Sequence, residues 1–278
     1  MGANMYKFSE SDIKQIQSHG LTIDSVTKQM TDFENGFPYS GITSPCVIDN
    51  GAFNFDDNID KYIDLYDSQC SKYKIVKFVP ASGAATRMFK DLFEYLSSGE
   101  MNKTTQTVLD NINRFAFWDD LKSVLPENPT DRDKINYLIN ECGLNYGNLP
   151  KGLLQFHKYD NECRTAVAEH LIEGALYACA NDTVRIHFTV SPEHISAFNN
   201  LLTNIIPIYE QKFGIKYDIS MSVQKPQTDT IAVNMDNTPF RNDDGTLLFR
   251  PAGHGALIEN LNDINADIIF IKNIDNIC

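Results

Sequence analysis

Hydrophobic residues occur along this chain in two patterns, and each pattern predicts one kind of element. The run KIVKFV, residues 74–79, is apolar at four of its six positions, which is typical of a buried strand. Beyond it the apolar residues return at helical spacing, at Met88, Phe89, Leu92, Phe93 and Leu96. The stretch VPASGAATRMFK, residues 79–90, is therefore predicted to lie at a strand-to-helix junction.

Strand and helix patterns continue to alternate along the rest of the chain. TVRIHFTV (183–190), IKYDISMSVQ (215–224) and DIIFIKNIDN (267–276) predict strands, with further candidates at 228–233 and 246–250. Helical spacing appears at 58–70, near 162–180 and after Ser191-Pro192. This alternation favours an α/β fold with three layers, Rossmann-like, in which a mainly parallel central sheet contains 74–79 and 267–274 as inner strands.

The same patterns predict one α/β domain over residues 1–278. Residues 1–72 are interpreted as an N-terminal lead-in, and the polar, helical residues 99–148 as an insertion.

Composition narrows the classes of function. The formal net charge is −13, from 24 basic and 37 acidic residues, so the surface repels nucleic acid, although a small phosphorylated ligand remains compatible with it. No apolar run is long enough for a membrane span, and no secretory leader is visible. The six scattered cysteines form no CxxC pair, so we expect reduced thiols in a cytoplasmic protein.

The junction at residues 79–90 has the chemistry of a phosphate-binding loop. A loop that follows a parallel strand and opens a helix presents backbone N–H groups to an anion. Gly83 can adopt a positive φ and lets a ligand approach the backbone, Thr86 offers a hydroxyl, and Arg87 can grip two phosphate oxygens. A purely structural turn is the competing interpretation, because single glycines and arginines are common in loops.

Several motifs resemble those of known families. ASGAATRM (81–88) followed by PKGLL (150–154) resembles the LAGGxGTRM and PKG signature of sugar-nucleotide pyrophosphorylases, which are nucleotidyltransferases of the glycosyltransferase-A-like fold. HFTVSPEH (187–194), SVQ (222–224), PAGHG (251–255) and NIDN (273–276) are similar to segments of the branch that makes UDP-sugars. Nearly the whole chain also looks like the uncharacterised bacterial family called domain of unknown function 4301, which implies no activity.

The pyrophosphorylase resemblance implies a role for each matching residue. Arg87 and Lys151 would be catalytic, neutralising charge on the leaving pyrophosphate. Asp275 would bind Mg²⁺. The nucleotide would contact two sets of residues, namely Ala81, Ser82, Gly83, Ala84, Ala85 and Thr86 in the loop, and Gln224, Gly253, His254 and Gly255 further along.

The implied reaction transfers a nucleotidyl group from a nucleoside triphosphate to a sugar phosphate, with release of pyrophosphate. Ser82 and Ala85 stand where the signature has glycines, and Ala85 would be strained in a positive-φ loop. The sequence stops three residues after Asp275, so we expect the C-terminal half of the nucleotidyltransferase fold to be missing. The alternatives are a non-catalytic nucleotide-sensing or interaction module, and a phosphate-handling enzyme of other chemistry.

Overall fold

The computed structural model describes residues 6–55, 58–83, 85–251 and 253–277. Its contacts divide the chain into two compact units. Unit 1 comprises Met1–Gln69 and Gln224–Asn265, and unit 2 comprises Cys70–Val223 and Ala266–Cys278. Each unit is thus assembled from two separate stretches of sequence.

Helices and short strands make up both units. The α-helices are α1 (Glu10–Ser18), α2 (Ile23–Asn35), α3 (Ile59–Gln69), α4 (Lys90–Ser98), α5 (Lys103–Asp110), α6 (Trp118–Val124), α7 (Asp131–Ile139), α8 (Ala166–Tyr177), α9 (Ile195–Phe213) and α10 (Ile258–Asn262). The strands are β1 (Val47–Ile48), β2 (Gly51–Ala52), β3 (Ile75–Pro80), β4 (Gln155–Lys158), β5 (Cys163–Thr165), β6 (Cys179–Ala180), β7 (Thr183–Thr189), β8 (Lys216–Ser222), β9 (Thr230–Ile231), β10 (Phe249–Arg250) and β11 (Ile268–Ile271).

Unit 2 contains a mixed five-stranded sheet. Strand β3 pairs in parallel with β11 on one side and with β7 on the other. Strand β7 also pairs in parallel with β8 and antiparallel with the short β6. Because β11, β3 and β7 are adjacent and parallel, their carboxyl ends follow one another along one edge of the sheet.

The predicted three-layer, Rossmann-like fold with a large, mainly parallel central sheet is wrong. The described strands form four small sheets, three of them two-stranded, and the largest is mixed because β6 runs antiparallel. The candidate strands at 228–233 and 246–250 do not join it, because β9 and β10 within them pair antiparallel with each other in unit 1. Residues 267–274 were expected to be an inner strand, but β11 is a partly exposed edge strand of four residues.

The core of unit 2 lies between the sheet and two helices. Helices α8 and α9 pack against β7 and β8, and the buried residues include Phe188 and Phe198. Gly174 allows α8 to approach closely, because a Cβ at this position would lie 2.7 Å from Val184 Cγ1. A second cluster of buried residues joins α4 to α7 around Leu121 and Ile135, and it also includes Ala85 and Leu154, so the helical residues 99–148 share a core with their neighbours in unit 2.

Unit 1 is built on α1, α2 and the β9–β10 pair. Its core contains Ile16, Met30 and Leu247, all buried. The Arg241 guanidinium donates to both oxygens of the Asp12 carboxylate at 2.8 Å, which holds the pKa of that carboxyl well below its usual range. Throughout the described residues, no helix combines the length and apolar character that crossing a membrane requires.

Candidate functional site

The loop of residues 81–87 leaves the middle of the sheet and is held on both sides. The Ala81 N–H donates to the Thr189 carbonyl oxygen at 2.9 Å, which extends the β3–β7 pairing by one residue. The Ser191 hydroxyl donates to the Ser82 carbonyl oxygen at 3.1 Å. The start of the loop is therefore fixed by the segment that follows β7.

The second half of the loop is fixed by residues 149–151. The Ala85 N–H donates to the Leu149 carbonyl oxygen at 3.2 Å, and the Lys151 N–H donates to the Gly83 carbonyl oxygen at 3.3 Å. Gly83 could adopt a positive φ, but it does not do so in this structure. A Cβ at Gly83 would meet no atom of the described residues within 4 Å, so the turn does not require glycine, and this position is open to a ligand.

The Arg87 guanidinium is accessible to a ligand. The residue ends a short 3-10 helix, Ala85–Arg87, and is exposed, with no hydrogen-bond or ion-pair partner in the described part of the chain. An open groove of about 710 Å³ lies beside it, lined by Thr86, Arg87, Lys90, Phe93, Glu94, Ser97 and Asn148. The groove thus combines cationic and hydroxyl-bearing side chains with an aromatic ring. Two of its residues, Lys90 and Asn148, were not predicted as site residues from the sequence.

Lys151 and Asp275 lie together. The Lys151 ammonium donates to Asp275 Oδ2 at 2.6 Å, and the two side chains are 29 % and 39 % exposed. Because the backbone of Lys151 also bonds Gly83, one lysine connects the loop after β3 with the acid that follows β11. Gly152 makes this approach possible, since a Cβ there would lie 2.7 Å from Phe198 Cζ and 3.3 Å from Ile274 Cδ1.

Asp275, the expected Mg²⁺ ligand, does not belong to a complete metal site within the described residues. Across the described residues there is no group of three or more His, Cys, Asp or Glu side chains that could hold an ion. Asp275 contributes a single carboxylate, and the Lys151 ammonium already binds it. One carboxylate does suit an ion that is also held by substrate phosphates, which is how proteins usually bind Mg²⁺.

A family model described as "Domain of unknown function (DUF4301)" matches residues 9–278, nearly the whole chain. The chain belongs to this family. No protein with a curated description matches it. Of the two resemblances drawn from the sequence, family membership is confirmed, and the likeness to pyrophosphorylases gains no support from these comparisons.

The other predicted contacts of this DUF4301 chain belong to unit 1 or fall outside the described residues. Ala84 is outside them, and the side chain of His254 is not described. Gln224, Gly253 and the backbone of Gly255 belong to unit 1, whereas the loop, Lys151 and Asp275 belong to unit 2. The Gln224 amide donates to the Asp229 carboxylate at 2.9 Å, so its polar end is bound within its own unit.

A buried ionic network under the site was missed from the sequence. Lys77 in β3 is fully buried, and its ammonium donates to Glu173 Oε2 at 2.8 Å, while Lys272 donates to Glu173 Oε1 at 2.6 Å. Burial lowers the pKa of Lys77 to about 8, against the opposing influence of Glu173. The available signal was a lysine inside the apolar run IVKFV, because a buried lysine requires an anionic or hydrogen-bonding partner.

Proposed function

We propose that this DUF4301 chain binds the phosphates of a nucleoside triphosphate at the loop of residues 81–87 and transfers its nucleotidyl group to a sugar phosphate, which releases pyrophosphate and leaves a nucleotide-sugar as the bound product. The observation that supports this most is the position of Lys151. Its backbone contacts the loop at Gly83, and its ammonium contacts Asp275. Lys151 thus connects the backbone of the loop with the carboxylate of Asp275, and its own ammonium supplies a cation between them.

The charges on the loop favour an anionic ligand. The net charge of the protein is negative, at a formal −13, yet Arg87 is exposed on this loop with no acidic partner among the described residues. A guanidinium offers planar, paired donors to phosphate oxygens, and its charge persists at every physiological pH. Lys90 lines the same groove, where it pairs with Glu94 at 3.5 Å on an exposed helix face. Such a pair is weak enough for a phosphate to compete with it.

Each residue has a part in the proposed reaction. The open backbone at Gly83 and the hydroxyl of Thr86 bind phosphate oxygens. Arg87 and Lys151 neutralise the charge that develops on the leaving pyrophosphate, which is the main contribution that proteins make to phosphoryl and nucleotidyl transfer. Asp275 would hold a Mg²⁺ ion that accompanies the triphosphate, once a phosphate gives Lys151 another partner. The ion would supply further neutralisation of the phosphates.

The Lys151–Asp275 pair also supports a second candidate, a non-catalytic nucleotide-sensing module. The carboxylate that would bind the metal is held by an ammonium at 2.6 Å. A protein that used this pair only to detect phosphate would bind a nucleotide and return it unchanged. The loop and Arg87 serve both candidates equally, so turnover separates them.

Binding is tested first, by thermal shift and calorimetry with UTP, other triphosphates and UDP-sugars in the presence of Mg²⁺. A nucleotide at 100 to 1,000 times its Kd adds roughly 2.7 to 4 kcal/mol to the stability of the wild type. Arg87→Ala should lose this gain. Arg114→Ala is the matched control, because Arg114 is also exposed at the end of a 3-10 helix in unit 2 and donates only to Asn111 in the described structure. If the wild type gains no stability, or Arg87→Ala gains as much, nucleotide binding at this loop is refuted.

Turnover is tested second, by release of pyrophosphate from a triphosphate and a panel of sugar phosphates. Release by the wild type that is lost in Lys151→Met supports nucleotidyl transfer. Binding without any release supports the sensing module.

A further inference from the structure

We propose that His170, buried beneath the site, is a positioning residue that sets the place of Asp275 through the backbone of Ile274. This inference rests on the proposed function, since Asp275 acts in the proposed site as the ligand of the nucleotide's metal ion. It assigns a task to a residue that contacts neither the loop nor any solvent.

The contact between His170 and Ile274 is made by the imidazole and a backbone carbonyl. His170 is 0 % exposed on α8, and its Nε2 lies 3.2 Å from the Ile274 carbonyl oxygen. Because a carbonyl oxygen can only accept, Nε2 carries the proton. His170 Nδ1 is buried without a hydrogen-bond partner in the described structure and lies 4.0 Å from Glu173 Oε2, so the bond to Ile274 is the only hydrogen bond of the ring among the described residues.

Ile274 is fixed on three sides, and Asp275 follows it directly. Its N–H donates to the carbonyl oxygen of Pro80, the last residue of β3, at 3.2 Å. Its side chain is buried in the core between the sheet and helices α8 and α9. With the carbonyl bound by His170, both peptide groups that flank Ile274 are oriented, and the second of these peptide groups contains the nitrogen of Asp275. Only then does the chain turn outward, so that the Asp275 carboxylate reaches the Lys151 ammonium.

Helix α8 is itself anchored to the strands that carry the site. Glu173 lies one turn after His170 and binds Lys77 of β3 and Lys272, the residue after β11. The Lys77 ammonium also donates to the His170 carbonyl oxygen at 3.2 Å. These contacts fix the position of the histidine relative to β3 and to the residues after β11, which is what a positioning residue needs.

His170→Leu and His170→Gln separate positioning from simple packing. Glutamine can place an N–H donor near the position of Nε2, whereas leucine fills the space without a donor. In NMR spectra of the backbone amides of the ligand-free protein, we expect His170→Leu to change the chemical shifts of Asp275 and Asn276. We expect His170→Gln to leave these chemical shifts close to the wild-type values. Unmoved signals in His170→Leu would overturn the proposal, and this measurement does not depend on nucleotide binding.

The second measurement is the ratio of the nucleotide Kd in EDTA to the Kd in Mg²⁺. We expect the wild-type ratio to fall by roughly 3- to 10-fold in His170→Leu, toward the value for Asp275→Asn, and to be retained in His170→Gln. Met30→Ala is the control for lost stability, because Met30 is buried in the core of unit 1. An unchanged ratio in His170→Leu, or an equal fall in Met30→Ala, overturns the positioning role. A wild type that binds no nucleotide refutes the proposed function instead, while the amide signals still decide the contact.

Discussion

The buried imidazole of His170 should make the stability of the protein depend on pH in a way that one substitution removes. Burial, together with the positive charge of Lys77, lowers the pKa of His170 from 6.5 to about 3. The nearby charged groups are Lys77, Glu173 and Lys272, and Glu173 acts in the opposite direction. The ring is neutral in the folded state at every pH at which the protein is normally handled.

The direction of the effect follows from the two states. Above about pH 6.5 the ring is neutral in the folded and the unfolded chain, so it adds no pH dependence. Below that pH the unfolded chain binds a proton at His170 that the folded chain does not, so acid favours unfolding. The loss of stability continues as the pH falls until the folded-state pKa of about 3 is reached.

The magnitude follows from the unfolded-state pKa of 6.5. One such site costs about 1.4 kcal/mol of stability at pH 5.5 and about 2 kcal/mol at pH 5. The assay is urea unfolding of the wild type and of His170→Gln at pH 7.5, 6.5, 5.5 and 5, with the free energy of unfolding extrapolated to water. All other titrating groups are common to both proteins, so the difference between the two curves isolates this histidine.

The free energy of unfolding of the wild type, minus that of His170→Gln, should fall by about 1.4 kcal/mol between pH 7.5 and 5.5, whichever protein is the more stable at the higher pH. Parallel curves would show that His170 takes up its proton equally in the folded state. The ring would then have to be accessible to protons, in disagreement with its burial.

Three further predictions concern stability. Gly83→Ala should change the free energy of unfolding by less than about 1 kcal/mol in urea unfolding, because φ is not positive and the space is open, yet it should weaken nucleotide binding measured by calorimetry. Gly152→Ala should destabilise by about 1 to 3 kcal/mol in the same assay, because its Cβ would meet Phe198. Glu173→Leu should cost about 3 to 5 kcal/mol, because it leaves the Lys77 ammonium buried and unpaired, and adding Lys77→Met should restore most of the loss. A lasting loss in the double variant would contradict that account.

The sequence was a good guide to single elements and a poor guide to how they pair. The apolar run at 74–79 and the pattern at 183–190 correspond to β3 and β7, since burial on both faces leaves a direct mark on composition. Pairing leaves no such mark. Residues 228–233 and 246–250 have the same strand-like composition, but their strands pair with each other in unit 1, and this is why the large parallel sheet was wrong.

The site was also predictable only in part. Loop position follows from local pattern, and it placed Gly83 and Arg87 after the central strand. The approach of Lys151 to Asp275 spans 124 positions of the sequence and was suggested only by motif resemblance. Gln224 carried the same kind of suggestion, and its amide binds Asp229 within unit 1, so its role at the nucleotide stays a prediction. A spacing of motifs orders residues along the chain, whereas their meeting depends on tertiary packing.

The division of unit 2 between two stretches of sequence has a practical consequence for fragments of this protein. A fragment of residues 70–223 would look like a natural domain, but it would lack β11, which covers one side of β3. Strand β3 is buried at all six positions, so its uncovered side would present an apolar edge with free backbone N–H and C=O groups. Such an edge recruits strands from other molecules, and we therefore expect this fragment to aggregate, whereas a fragment that also carries residues 266–278 in covalent linkage should remain monomeric.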